Sequence, residues 1–269
     1  MKQLILTLTA LVTAAVAVFA DTPADSTQVK RYEAKVGDFT TLDIENSFNV
    51  DYKCSGDSAG LAVYYTTPGL ADKIIFENNN KGRLSIEKPF RPEGELDEGL
   101  PTITVYSRFL KEVRNGGDST VRVLSIRPTM EVKASVIGNG RMVVRGLECS
   151  KVDGAVKTGN GTLVLSGKCE DAILSNTGTG TIQADNLEAE NVSAKFFGTG
   201  TTGCWPVKSL KIKGVMAGKL YYRGKPEKIR NYSMGVKIYT LEGLEWTGTP
   251  ETAPDPDEDK ETEQKSKDK

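Results

Sequence analysis

Acidic side chains recur along the second half of this chain and are the residues best suited to chemistry. They come in groups about twenty residues apart, so in a chain that coils with that period they would project from one side of neighbouring turns. Oxygen ligands clustered in this way suit Ca²⁺, with a nearby lysine or arginine as base in the cleavage of an acidic polysaccharide, although Lys168 and Lys151 between the acids partly neutralise them. The five candidates are Glu148, Glu170, Asp171, Glu188 and Glu190.

The same acids also fit a plain solvent-exposed face. Steps of twenty residues from Glu148 reach Lys168, Glu188 and Lys208, so the charge alternates in sign along that column. Alternating charges one strand spacing apart partly neutralise each other. We therefore favour a solvated face, with cation binding left open, and we predict no catalytic residue and no cofactor.

Histidine is absent from all 269 residues. This removes the Ser-His-Asp and Cys-His nucleophile systems, imidazole metal ligands and imidazole general bases. Any catalysis would have to use carboxylates, lysine or tyrosine.

A Gly-x-Gly motif provides the architecture that would position these side chains. Its second glycine steps by about 21, 19 and 20 residues, a period typical of stacked coils that bury apolar faces only against their neighbours. We interpret the glycines as corners that need positive φ. A phosphate-binding loop would require a following helix, whereas a strand-like stretch follows here. The corner glycines are Gly138, Gly140, Gly159, Gly161, Gly178, Gly180, Gly198 and Gly200, with weaker copies at Gly218 and Gly235.

Two chain paths fit this period. In an antiparallel meander, Asn139-Gly140 and Asn160-Gly161 would be hairpin turns. In a parallel solenoid, similar residues recur after a whole unit read in the same direction. The columns support the second path, because steps of twenty from Val152 reach Ala172, Val192 and Ile212. Leu210 does not fit its polar column, and the pattern offers no explanation for it.

The chain divides into five zones. Residues 1–20 have a basic start, an apolar run and small residues before the expected cleavage point, which is typical of a signal peptide. A short segment, 21–35, precedes a β domain over 36–245, with less regular strands in 36–113 and the repeat in 114–245. Residues 246–269 are charged and proline-containing, which is typical of a disordered tail. The strands expected before the repeat are Phe39–Ile44, Phe48–Tyr52, Leu61–Tyr65, Ile74–Phe76, Leu84–Ile86 and Ile103–Tyr106.

The overall charge limits the choice of partners. With 35 basic and 36 acidic side chains, the formal net charge is −1, which gives no bulk signal for nucleic acid or anionic lipid. No apolar segment after the signal is long enough to cross a membrane. The expected partner is therefore a protein or glycan of the cell envelope.

The repeat resembles that of the putative auto-transporter adhesins with a head GIN domain, exported proteins of Gram-negative bacteria. The similarity rests on Gly138-Asn-Gly-Arg-Met142 and the matching motifs that begin at Gly159 and Gly178, each followed by an apolar-alternating stretch. It covers about residues 36–245, although Asn and Thr replace the usual Ser, and Ala217 and Met234 replace the first glycine. The resemblance implies an all-β, right-handed, single-stranded parallel β-helix and a role in adhesion, and it brings no catalytic residues.

Two cysteines occupy one column of the repeat. Cys149 and Cys169 lie one period apart, so parallel stacking would bring their Cα atoms to roughly 4.8 Å, within the range of a disulfide. Export would place them in an oxidising compartment. We predict a disulfide between them. The alternative is two thiols packed as small apolar side chains.

The sequence therefore predicts an exported, non-enzymatic β-solenoid that acts as a binding or structural module of the cell envelope. Its expected location is the periplasm, the outer-membrane surface or the outside of the cell. The alternative from another class is a carbohydrate-active parallel β-helix enzyme acting on acidic polysaccharide. A third possibility, a periplasmic scaffold, differs only in location.

Overall fold

The computed structural model describes residues 28–45, 48–79, 81–89 and 100–241. The predicted signal peptide and the predicted C-terminal tail lie outside these residues. The described chain contains one short helix, α1 (Pro68–Ala71), and the following strands: β1 (Lys30–Lys35), β2 (Thr41–Ile44), β3 (Val50–Cys54), β4 (Leu61–Thr66), β5 (Ile75–Asn78), β6 (Arg83–Glu87), β7 (Ile103–Ser107), β8 (Glu112–Asn115), β9 (Thr120–Ser125), β10 (Thr129–Ile137), β11 (Arg141–Thr158), β12 (Thr162–Asn176), β13 (Thr181–Phe196), β14 (Thr201–Gly214), β15 (Lys219–Tyr222), β16 (Lys228–Ser233) and β17 (Lys237–Thr240).

The strands stack in parallel with an offset of about twenty residues, which makes a β-solenoid of about six turns. Cys149 pairs with Cys169, and Cys169 with Ala189, as residues one coil apart must in a parallel stack. The predicted parallel solenoid is thus confirmed over the meander. All six strands expected before the repeat are also present.

Each regular coil has three sides. In β11 the buried positions run Met142 and Val144, then Leu147, then Val152, so the inward phase changes twice within one long strand. We call the sides wall B (141–144 and the positions in register with it), wall C (147–149 and its register positions) and wall A (151–156 and its register positions). Continuous hydrogen bonding around two corners explains why one strand spans 18 residues.

The core runs along the axis enclosed by the walls. In wall A the stack Val152, Ala172 and Val192 is almost fully buried. Small and β-branched residues suit such a stack because identical positions repeat one strand spacing apart. Burial of each large aliphatic side chain contributes about 1.5–3 kcal/mol.

The N-terminal coils are not stacked in chain order. In wall A, β2 lies between β6 and β8, and in wall B, β3 lies between β7 and β9. Counted from this end of the stack, β2 and β3 therefore form the second coil. The chain then adds the end coil, β6 and β7, outside them. Antiparallel strands follow outward from that end, β5 on β6 and β4 with β1 on β7. They end the parallel stack on this side.

The coil that contains β14 is two residues shorter than the preceding ones. Glu188 pairs with Trp205 and Ala189 with Pro206, and beyond this point Val192 pairs with Leu210 rather than with Ile212. The column predicted by steps of twenty residues from Val152 is therefore wrong in its last member, Ile212. The same shift explains Leu210, because it occupies the buried Val192 column.

The corner glycines have a different physical cause from the one expected. Of the ten, Gly138, Gly159 and Gly235 have positive φ. The other positions exclude a side chain because the preceding coil is too close: a Cβ at Gly178 would lie 2.5 Å from the Gly159 carbonyl oxygen. The motif therefore depends mainly on close backbone approach between coils.

Buried asparagines hold the same corner. Asn176 donates from Nδ2 to the Gly180 carbonyl at 2.9 Å and to the Thr201 carbonyl at 3.1 Å, which ties two coils together. Asn115, in the same column of wall A, makes the equivalent pair of bonds to Ser119 and Arg141. These amides add a second hydrogen bond at corner carbonyls, since the Gly180 and Ser119 carbonyls also accept from the backbone N–H groups of Thr201 and Arg141.

Candidate functional site

The five predicted acids lie on or next to wall C, and neighbouring coils supply partners for three of them. Lys168 Nζ lies 3.4 Å from Glu188 Oε2, and Lys208 Nζ lies 2.7 Å from Glu190 Oε2. Asn191 donates from Nδ2 to Asp171 at 3.0 Å. The alternating ladder from Glu148 through Lys168 to Glu188 is confirmed. Its last step is wrong, since Lys208 pairs with Glu190.

This arrangement gives little support for metal-assisted cleavage. Within the described ranges, no group of three or more His, Cys, Asp or Glu side chains is placed to hold a metal ion. Lys151, a lysine next to these acids, donates to Glu131 at 2.8 Å, and that hydrogen bond raises its pKa. A raised pKa keeps the ammonium protonated, which is the wrong direction for a general base.

A second face, missed by sequence reasoning, carries a concentration of positive charge. Nine outward positions of wall A form three rows across the last three coils. We call them the basic face. Five are cationic and none is acidic: Asn191, Ser209 and Lys228; Ser193, Lys211 and Arg230; Lys195, Lys213 and Tyr232.

The strand pattern places these side chains outward. In β14, Lys211 and Lys213 alternate with the buried Leu210 and Ile212, so both lysines point to solvent. Lys213 lies between Lys195 and Tyr232 in the register, and Lys211 is followed by Arg230. Residues two apart on one strand are about 7 Å apart, and residues paired on adjacent strands are about 5 Å apart. The charges are therefore closer together than the screening length of about 8 Å in physiological salt.

The acids nearest the basic face have partners at its edge: Asp171, one coil before Asn191 in the same row, accepts a hydrogen bond from Asn191. Glu190 hydrogen-bonds Lys208 and raises its pKa, and the charge of Glu227 acts on the same ammonium. Lys211 Nζ lies over the Tyr232 ring, 6.0 Å from its centroid. In the part of the chain that the structure describes, Lys195, Lys213 and Arg230 form no ion pair with a carboxylate. A negatively charged ligand would relieve their mutual repulsion.

A shallow cleft of about 420 Å³ lies at the other end of the wall. Its lining mixes opposite charges, with Lys111 and Lys133 beside Glu112 and Glu131, together with threonines. Glu131 is already held by Lys151, whose hydrogen bond lowers its pKa. The balanced charge gives this cleft no preference for a ligand class, in contrast to the basic face.

The two aligned cysteines are paired in register, as predicted, and both are free thiols in the structure. Burial raises the pKa of Cys149 to about 11 and that of Cys169 to about 12. Both therefore remain protonated at neutral pH. The register is thus confirmed, while the disulfide itself stays a prediction.

Aromatic side chains of the late coils make ring contacts. The Tyr221 and Tyr239 rings stack with centroids 4.9 Å apart, and the Arg223 guanidinium lies 5.0 Å from the Trp205 ring centroid. These contacts give the rings a packing role.

The basic face was hidden from sequence reasoning because the bulk charge balance averages over the whole molecule. The usable signal is alternation: Lys211-Ile-Lys213 and Lys228-Ile-Arg230 place cations at every second residue of a strand. Period-two alternation puts such residues on one side of a sheet. The net charge of the whole chain therefore does not indicate which ligands this face could bind.

No helix among the described residues has the length and apolar character needed to cross a membrane.

The chain is similar to three solved structures. They are described as a "putative adhesin" from Bacteroides fragilis (21% identity, TM-score 0.69), a "putative adhesin" from Parabacteroides merdae (18% identity, TM-score 0.62) and a "Putative lipid binding protein" from Parabacteroides distasonis (18% identity, TM-score 0.64). Each match covers 79% of this chain and 96% of the other. At such identities they establish the fold alone.

Among curated proteins, none matches in sequence. The family model described as "Putative auto-transporter adhesin, head GIN domain" matches residues 38–226, which confirms the resemblance drawn from the repeat. The chain belongs to this head GIN domain family.

Proposed function

We propose that this protein is an exported, adhesin-like binding module of the cell envelope that attaches to an anionic partner through the basic face. The observation that carries the proposal is the arrangement of five cations and no acid over nine adjacent outward positions. The rigid parallel stack fixes their spacing, so little backbone has to be ordered on binding. Stacked coils offer such extended surfaces to partners.

The family supports this class of function, since its description and the names of similar structures refer to adhesins. A catalytic role has less support, because the predicted acids are largely paired and Lys151 is held protonated. The signal-like segment 1–20 supports export.

The test uses the purified chain without residues 1–20 and measures its retention on an isolated cell-envelope fraction across a salt series. Charge reversal at Lys195, Lys213 and Arg230 to Glu is expected to lower retention at least tenfold and to flatten the salt dependence.

The matched control reverses three exposed lysines near the opposite end, Lys30, Lys35 and Lys53, with the same change in net charge. It should leave retention within about twofold of the unchanged chain, since only local charge enters the contact. Equal losses in both triple variants, or no loss in either, would refute attachment through the basic face.

A further inference from the structure

An apolar ridge borders the basic face in the same three coils. Phe196, Gly214 and Ser233 are in register at the end of wall A, so the residues that follow them, Phe197, Val215 and Met234, stack at one corner. Their exposed fractions are 58%, 68% and 75%. We call these three, with the half-exposed Met216, the apolar ridge.

The ridge is specific to the late coils. Two coils earlier the same corner carries exposed Lys157, and one coil earlier it carries exposed Thr177. The hydrogen bonds from Phe197 N to Asn176 O and from Met234 N to Gly214 O, 2.9 and 2.8 Å long, fix the backbone at this corner. The exposed apolar side chains are therefore held on ordered backbone, and their exposure is not a result of a loose loop.

Cations flank the ridge on both sides. On wall A, Lys195 and Lys213 lie two residues before Phe197 and Val215. On wall B, Lys219 and Lys237 pair in register at the start of the next side, and both are exposed. An apolar strip between two rows of cations has the layout of a surface that enters the boundary between lipid headgroups and acyl chains. A soluble polyanion would pair with the cations but leave the strip in water.

We infer that the corner formed by the basic face and the apolar ridge docks on an anionic lipid surface, with the ridge inserted among acyl chains and the flanking lysines on phosphate headgroups. The inference rests on the proposed function and names the ligand of the same site. Long lysine side chains can extend along the ridge while the ammonium reaches the headgroups. Each cation near an anionic membrane strengthens binding about fivefold.

The experiment is co-sedimentation of the chain without residues 1–20 with phosphatidylcholine vesicles, with and without phosphatidylglycerol. Binding is expected only to the vesicles that contain phosphatidylglycerol. Replacing Phe197, Val215 and Met234 by Ser should lower vesicle binding about a hundredfold. It should leave binding to soluble dextran sulfate unchanged, because the cations remain.

Two controls complete the design. The variant with Glu at Lys195, Lys213 and Arg230 should lose binding to both vesicles and dextran sulfate. Replacing exposed Val29 and Met130 by Ser, away from the corner, should change neither. Circular dichroism confirms that each variant is folded, which is expected because every replaced ridge side chain is exposed.

The outcomes separate the two proposals. Binding to dextran sulfate without binding to vesicles would overturn the lipid inference and leave an anionic partner in place. Vesicle binding that survives loss of the ridge would be electrostatic adsorption and would also overturn it. Binding to neither polyanion nor vesicles would overturn the proposed function as well.

Discussion

Thr202 places a hydroxyl in the apolar interior of wall B. Its register neighbours one coil away on either side are Ile182 and Leu220, and its Oγ1 is buried without a hydrogen-bond partner. A buried unsatisfied hydroxyl costs roughly 1–3 kcal/mol, and valine has nearly the same shape. Thr202→Val is therefore expected to raise the free energy of unfolding by about 1 kcal/mol in a urea titration.

The adjacent Thr201 provides the control for this prediction. It is half-exposed at an outward position of the same strand, so Thr201→Val should change stability by less than about 0.5 kcal/mol. A loss of stability in the Thr202 variant would show that the hydroxyl contributes a native interaction, contrary to our account.

The aligned thiols of Cys149 and Cys169 lead to a second residue-scale prediction. In chain exported through an oxidising compartment, non-reducing peptide mass spectrometry should find the two linked, and the closed loop of about twenty residues should add roughly 3 kcal/mol. In chain kept reduced, both pKa values are raised by burial, so alkylation at pH 8 should be slow until the protein is unfolded. Separate free-thiol peptides from the exported chain would contradict the bridge.

At the scale of the repeated element, the corner depends on the absence of a side chain. A Cβ at Gly178 would meet the backbone of the preceding coil at 2.5 Å, and backbone cannot move aside without shifting a coil. Gly178→Ala should therefore lower the free energy of unfolding by about 2 kcal/mol or more, measured in urea.

Gly69 is the matched control, because it lies in α1 and a Cβ at this position would have no other atom within 4 Å. Gly69→Ala should be neutral or stabilising by up to about 1 kcal/mol, since alanine favours a helix. A Gly178 variant as stable as this control would refute close approach as the reason for the repeat.

The same element explains how a nearly neutral chain builds a charged surface. Strand alternation separates outward Lys211 and Lys213 from inward Leu210 and Ile212, and parallel register then stacks them with Lys195 and Arg230. Neither step changes the composition. Local charge therefore depends on register, and a two-residue shortening of one coil is enough to move Lys208 to a different partner, Glu190.

At the scale of the whole molecule, the repeats depend on the end formed before them. In the stack, β8 and β9 of the third coil pair with β2 and β3, which are in turn covered by β6 and β7. A fragment of residues 114–241 lacks the first half of β8 and would expose the edges of β9 and β10, and uncapped solenoids associate through such edges. We expect this fragment to aggregate or unfold, as measured by size-exclusion chromatography and circular dichroism.

The comparison is a fragment of residues 28–241, which keeps the antiparallel strands β1, β4 and β5 at the end of the stack. It should elute as a folded species with a single cooperative thermal transition. A stable, monodisperse 114–241 fragment would show that the repeats do not need this end.

The period, the parallel path and the family could all be read from the order of the amino acids. These follow from local rules, because glycine at a crowded corner and small or β-branched residues at inward positions must recur wherever identical coils stack. Columns such as Val152, Ala172 and Val192, and the pairing of Cys149 with Cys169, were readable for this reason. Six strands before the repeat were readable from β-branched and aromatic residues, alternation and the breakers between them, whereas β1 was not expected.

Three features became visible only in the folded chain: which columns continue into the last coils, how the first coils are ordered and where charge gathers. The slip at Pro206 and the insertion of β2 between β6 and β8 depend on contacts between segments that are distant along the chain. Period counting assumes constant coil length and sequential stacking, so it cannot detect either event. The basic face and apolar ridge arise from that register, because they bring together residues from three coils.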